Sequence, residues 1–228
     1  MEKKLIIAHR GASKQAHENT LAAFGAAMRL GADGIELDVR KTKDNILVCF
    51  HNQTILQRPL SDLNFKELNI IVKSLGFAVP SLEQALKFIK GKARVYLEIK
   101  ARGYEEQIVQ TAIGALRPQD FAIISFHFDS LKIIKNRYPF VQVGLVLGIR
   151  YQSLSQLLLR KKKILGLVDF FVINSRLWKS GLAKIIAKKY PILIWTVDRP
   201  NAMKKFFLDE RIRGIITNFP DVALKLRS

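Results

Sequence analysis

Cysteine is nearly missing from this sequence: Cys49 is the one thiol in 228 residues. A disulfide framework within the chain is therefore excluded, and a reducing compartment is the natural setting. Long apolar runs are missing too, since none reaches the roughly 18 residues that span a membrane. The start, MEKKLIIAHRG, offers only Leu5 to Ala8 before His9, too short a run for a signal peptide. These absences point to the cytoplasm. Acidic residues are scarce, 19 against 38 lysines and arginines, which leaves a net charge of +19. Such a charge suits nucleic acid, an anionic membrane surface, or a small anionic substrate drawn in by the field. The lysines are scattered and carry no nucleic-acid motif, so no specific nucleic-acid partner is expected. Peripheral membrane contact stays open. The densest basic run, Arg160–Lys163, closes a leucine-rich stretch. Internal repeats, low-complexity tracts and Pro/Gly linkers are absent, so residues 1–228 are read as one domain. The oligomeric state leaves no signature.

What the chain does have is alternation. Short apolar, β-branched runs predict strands at Leu5–His9, Gly34–Val39, Ala93–Ile99, Phe121–Ser125, Val141–Leu147, Asp169–Ile173, Ile192–Val197 and Gly214–Thr217. Helical patterns separate them at Asn19–Leu30, Ser81–Ile89, Tyr104–Leu116, Asp129–Arg137, Leu154–Lys161, Lys179–Lys188 and Pro200–Leu208. Asn19 or Thr20 caps the first helix, Leu21, Phe24 and Met28 form its core stripe, and Gly31 ends it. The strands are apolar on both faces, as when helices cover a parallel sheet. A further run at Ile46–Phe50 follows Val39 too closely for a parallel crossover, which needs about a dozen residues. It is read as a hairpin arm, residues 46–51, turning at Asp44-Asn45. Eight strand–helix units then predict an α/β fold, a TIM (β/α)8 barrel, with an open doubly wound sheet as the alternative.

Barrel chemistry sits at the C-terminal ends of the strands. The first strand ends in His9-Arg10. Glu36 and Asp38 share one face of the second, and Glu98 and Lys100 one face of the third, because residues i and i+2 point the same way. Inward carboxylates are costly unless paired or bound to metal. Three converging carboxylates make a hard oxygen site suited to Mg²⁺ or Ca²⁺. Ion pairing of the acids with Arg40 and Lys100 is the structural alternative. The hairpin places His51 roughly opposite residue 38, on the same rim as His9. Two histidines beside a metal suit acid–base chemistry, and Arg10 and Lys100 can hold a phosphate. The residues alone thus read as metal-assisted cleavage of a phosphate ester. Ser125 and His127 end another strand and are weaker candidates for substrate contact.

The ordered set HRGAS, ENTLAAF, GADGIELDVRKTKDNILVCFH, PSLEQAL, LEIK, WTVD and GIITNFP resembles the glycerophosphodiester phosphodiesterase family from about residue 5 to 220. The resemblance implies a TIM-barrel hydrolase that releases glycerol 3-phosphate and an alcohol from a small glycerophosphodiester. It implies a divalent cation, Mg²⁺ or Ca²⁺, at Glu36, Asp38 and Glu98, and catalytic histidines at His9 and His51. It implies phosphate binding by Arg10 and Lys100, a supporting role for Glu18, and a substrate wall at Trp195.

Four positions depart from the family pattern. His17 stands where a proline commonly precedes Glu-Asn-Thr, and Asn52 follows His51 where an aspartate is usual. Asn218 stands where the late motif carries aspartate, and Asp198 where asparagine often follows Trp-Thr-Val. None removes a metal ligand or a catalytic histidine; they bear on rate and pH optimum. The alternatives are a lysophospholipase D-type headgroup hydrolase, or a weakly active member that binds anionic membrane or nucleic acid. The stretch from His51 to Pro80 holds no long insertion that would make an apolar lid, which favours the small soluble substrate.

Overall fold

The computed structural model describes residues 3–149 and 166–227. In chain order it contains β1 (Leu5–His9), α1 (Leu21–Leu30), β2 (Gly34–Lys41), β3 (Leu47–Cys49), β4 (Thr54–Ile55), β5 (Arg58–Pro59), α2 (Phe65–Ser74), α3 (Leu82–Ile89) and β6 (Arg94–Ile99). There follow α4 (Glu105–Ala115), β7 (Phe121–Ser125), α5 (Phe128–Arg137), β8 (Val143–Leu147), β9 (Phe170–Asn174), α6 (Gly181–Ala187), β10 (Ile192–Trp195), α7 (Pro200–Phe207), β11 (Gly214–Thr217) and α8 (Pro220–Arg227). The expected helix at Leu154–Lys161 and the basic run at Arg160–Lys163 lie outside the described residues. No helix among the described residues is long and apolar enough to cross a membrane.

Eight parallel strands close into a barrel. They run β1-β11-β10-β9-β8-β7-β6-β2, and β1 pairs with β2 to complete the ring, which rules out the open sheet. Alternation then sorts the side chains. Ile35, Leu37 and Val39 of β2 pack outward among Phe24, Leu86 and other helix residues. Ile7, Tyr96, Ile124, Val146, Phe170, Val172, Leu193 and Ile216 fill the interior. Gly144 makes room for one of them, since a Cβ there would overlap the Phe170 ring. The barrel is therefore plugged by side chains, and polar chemistry is confined to its mouth.

The helix signals are local. Thr20 caps α1 by accepting from the Ala23 amide, and Gly31 stops it at φ 84°. Asn19 is not the cap, and the buried face of α1 is Ala23, Phe24, Ala26 and Ala27, with Leu21 and Met28 at its edges. The hairpin pairs β2 with β3 antiparallel, Val39 opposite Cys49. The Phe50 amide donates to the Asp38 carbonyl, so Phe50, not His51, lies opposite residue 38.

The segment from His51 to Pro80 differs most from the sequence reading. It forms the β4–β5 hairpin and α2, with a capping box between Asn64 and Glu67. Ile55, Leu60, Leu63, Leu68, Val72 and Val79 pack with Val48 and Phe50 of the arm into a separate apolar cluster. The stretch is a small packed module beside the barrel mouth rather than a plain connection.

Candidate active site

The His-Arg-Gly corner begins the site. β1 ends at His9, in register with Glu36 of β2. The chain then turns through left-handed backbone at Arg10 (φ 57°) and Gly11 (φ 81°). Gly11 is required twice over: its φ suits glycine, and a Cβ there would lie 2.6 Å from the Ala23 carbonyl carbon. The turn aims the Arg10 amide at Glu36 Oε2, 3.0 Å away. It also lays the guanidinium across the mouth. Nη1 donates to both Glu18 oxygens at 2.8 and 2.9 Å, and Nε lies 3.0 Å from Asp38 Oδ2.

The carboxylates meet by register. Asp38 pairs directly with Glu98 on β6, one alternation beyond Glu36. Glu36, Asp38 and Glu98 are all buried, and one oxygen from each lies within 4.8 Å of the others. Lys100 Nζ sits 2.6 Å from Glu98 Oε1 and 2.9 Å from Asp38 Oδ1. Arg40 takes no part in this pairing; its Nε donates to the His51 carbonyl at 2.7 Å. The ion pairs on Asp38 therefore come from Arg10 and Lys100. Those two leave Glu36 Oε1 buried with no hydrogen-bond partner.

The electrostatics follow from burial. Glu36 is pushed well above the usual carboxylate range by desolvation and by Asp38 and Glu98. Desolvation also raises Glu98, against Lys100. Burial works against the charge on Asp38, but Lys100 and Arg10 outweigh it and hold the carboxyl low. Burial likewise opposes the Lys100 ammonium, and Glu98 and Asp38 overcome it to raise its pKa. Three buried acids facing two cations, with Glu36 Oε1 and Asp38 Oδ1 both lacking a hydrogen bond, form a donor set that fits a divalent cation.

His9 borders this cluster, and His51 follows Phe50, whose amide bonds the Asp38 carbonyl. His9 Nε2 is 3.9 Å from Glu36 Oε2, and Nδ1 is 2.8 Å from Asn218 Oδ1. Burial, then Arg10, lowers its pKa from 6.5. His51 Nδ1 lies 2.8 Å from Asn52 Oδ1, so the amide stands where a carboxylate was expected. Burial lowers its pKa also, although Asp38 opposes this. His51 borders a cavity of about 300 Å³ lined further by Glu18, Asn19, Leu56, Leu75 and Phe77. His17, the residue in the proline position, stacks on Phe77 at 3.5 Å.

The remaining candidates divide. Trp195 ends β10 and packs edge-on against Phe126 at 5.6 Å, with Nε1 buried and without a hydrogen-bond partner. Ser125 is committed to backbone, donating to the Ile99 carbonyl and accepting from the His127 amide. Sequence reasoning missed the partners that hold the site. Asn19 bonds Asp38 through both ends of its amide, and Asn218 bonds His9 across the seam where β11 pairs with β1.

The sequence model of the glycerophosphoryl diester phosphodiesterase family matches residues 9–222. The chain belongs to this family. It is accordingly a phosphoric diester hydrolase acting on glycerophosphodiesters. A glycerophosphodiester phosphodiesterase of Caldanaerobacter subterraneus subsp. tengcongensis is 33% identical over 98% of both chains. Among solved structures, a glycerophosphodiester phosphodiesterase of Thermotoga maritima superposes with a TM-score of 0.84 at 22% identity, covering 99% of each chain. An Oleispira antarctica phosphodiesterase, solved in complex with the product sn-glycerol-3-phosphate, gives 0.81 at 22% identity, covering 98% of this chain and 96% of that one. These two likenesses bear on the fold, a family TIM barrel.

Proposed function

We propose that the chain cleaves glycerophosphodiesters to glycerol 3-phosphate and an alcohol through two-histidine acid–base catalysis at a divalent-cation site. The observation that carries this reading is the buried carboxylate triad with its unpartnered Glu36 oxygen; the other Glu36 oxygen lies 3.9 Å from His9, and the strand that carries Glu36 and Asp38 pairs with the arm leading to His51. Glu36, Asp38 and Glu98 would hold the ion, Mg²⁺ or Ca²⁺. When bound, it would supply positive charge that lowers a hydroxyl pKa and offsets charge on the phosphate.

The chain's own groups supply the rest. Asn218 Oδ1 faces His9 Nδ1, so the ring nitrogen toward Glu36 is the one free to accept a proton. His9 takes the proton from the glycerol 2-hydroxyl, whose oxygen attacks phosphorus. The P–O bond to the alcohol breaks, and His51 protonates the departing oxygen. Water then attacks the cyclic phosphate, with the histidines exchanging roles, and glycerol 3-phosphate results. Arg10 and Lys100 offset negative charge on the phosphate oxygens. Glu18 holds Arg10 in place, and Trp195 walls the pocket through its position on β10.

A second reading, a substrate bearing an acyl chain, rests on one observation. The cavity at His51 is bordered by Leu56 and Leu75, which are 66% and 50% exposed. Release of glycerol 3-phosphate from glycerophosphocholine, with and without chelator, tests the first reading. Lysophosphatidylcholine in parallel tests the second. Chelator-sensitive release from the small diester supports the proposal, and undiminished release without divalent ions refutes its metal dependence.

A further inference from the structure

Asp198 lies just beyond β10 and has no place in the chemistry above. Its contacts converge on one residue. Oδ2 accepts from Asn218 Nδ2 at 2.7 Å, and Oδ1 accepts from the Asn218 backbone N–H at 2.9 Å. The Thr217 hydroxyl adds a bond to Oδ1 at 3.1 Å. A carboxylate can only accept, so it dictates which end of the Asn218 amide faces it. The NH₂ end turns to Asp198, and the carbonyl end turns to the site. There Oδ1 receives His9 Nδ1 at 2.8 Å and the Ser13 hydroxyl at 2.9 Å. That oxygen can only accept, so the neutral His9 ring must carry its proton on Nδ1. The Nε2 lone pair is left toward Glu36. Turning the amide over would set its oxygen 2.7 Å from a carboxylate and its NH₂ group against the Ser13 and His9 donors.

The two departures noted at positions 198 and 218 thus belong to one contact. The family pattern carries an amide at the first position and an acid at the second; this chain carries the acid first and the amide second. The structure shows these side chains hydrogen-bonded to each other, so the exchange preserves one acid and one amide while transposing them. We propose that Asp198 is a positioning residue for the reaction: it orients the Asn218 amide, and the amide fixes His9 as the Nδ1–H tautomer that can act as a base. The inference rests on the proposed role of His9 as base.

Nitrogen-15 NMR of histidine-labelled protein, recorded without metal or substrate, reads the tautomer directly. The wild type should show His9 with a protonated Nδ1 and an unprotonated Nε2. Asp198→Asn removes the obligate acceptor, and His9 should then populate both tautomers. With glycerophosphocholine the variant should lose at least tenfold in kcat with KM nearly unchanged, because substrate-binding groups are untouched. Asn218→Asp alone opposes two carboxylates and should lose more. The double variant Asp198→Asn/Asn218→Asp rebuilds one acid–amide contact and should recover kcat to within a few-fold of wild type. Thermal melts of all three separate misfolding from misorientation, and the double variant keeps the test open if either single variant melts early. A wild-type-like tautomer and kcat in Asp198→Asn, or a double variant no better than Asp198→Asn, would overturn the proposal. If the wild type releases no glycerol 3-phosphate, the functional reading fails instead, while the tautomer measurement still decides the orienting contact.

Discussion

Asn19 grips Asp38 from two sides: its Nδ2 donates to Asp38 Oδ2 at 2.8 Å, and its Oδ1 accepts from the Asp38 backbone N–H at 3.1 Å. Both residues are buried, and Asn19 adopts φ 57°, a left-handed conformation that asparagine tolerates better than most residues. Replacement by alanine should strand the buried Asp38 backbone N–H, leave Arg10 as the remaining partner of Asp38 Oδ2, and add backbone strain. Asn19→Ala is expected to cost about 2–4 kcal/mol in urea denaturation, since an orphaned buried partner costs roughly 1–3 kcal/mol. Asn19→Gly relieves the strain but not the lost bonds, and should fall between alanine and wild type.

The carboxylate triad should bind Mn²⁺ or Ca²⁺ stoichiometrically in calorimetry. Glu36→Gln removes the unpartnered acceptor without changing shape, so it should abolish binding while leaving the fold intact. Binding that survives in Glu36→Gln would place the ion elsewhere.

His9 and His51 should each matter for rate and not for metal. Alanine at either should lower kcat by about 10²–10⁴-fold, the range for a lost acid or base, with Mn²⁺ affinity retained. Burial, then Arg10, holds the His9 pKa below 6.5. A base must be neutral to work, so activity should persist below pH 6.5 and fall only as pH drops through the depressed pKa. The stability sign agrees. The unfolded state takes up the His9 proton first as pH falls below 6.5, so this residue's contribution declines from there down to its folded pKa. An acid limb of kcat/KM lying above pH 6.5 would contradict the assignment.

Cys49 offers a negative control. It is fully buried on β3, and burial raises its thiol pKa far above the ordinary value, with Asp38 adding to the effect. It should not react with a thiol reagent in the native protein and should react at once in denaturant.

Much of this site is legible in strand chemistry alone. Glu36, Asp38, Glu98 and Lys100 are two-residue repeats on strands, so a period of two places them on the inner face before any tertiary contact is known. His9 shares that logic, following Leu5 and Ile7 on its strand. The partners are less legible because their contacts depend on ring closure: Asn218 reaches His9 across 209 residues of sequence. The hairpin register is off by one residue because the turn spans Thr42 to Ile46, where the Thr42 amide bonds the Ile46 carbonyl, rather than closing tightly on Asp44-Asn45. α2 is hard to see because Ile70-Ile71-Val72 is a consecutive β-branched run that reads as a strand, whereas in the helix Val72 is buried and Ile70 is 62% exposed.

Closure of the ring also sets an order in time. His9 lies on the barrel's first strand in chain order, and Asn218 follows the barrel's last. Until β11 docks between β1 and β10, the imidazole has no carbonyl to fix its proton, although every carboxylate of the triad has long been synthesised. On the proposed mechanism, the carboxylates of β2 and β6 are thus in the chain long before the amide that orients the base, which comes with the barrel's last strand.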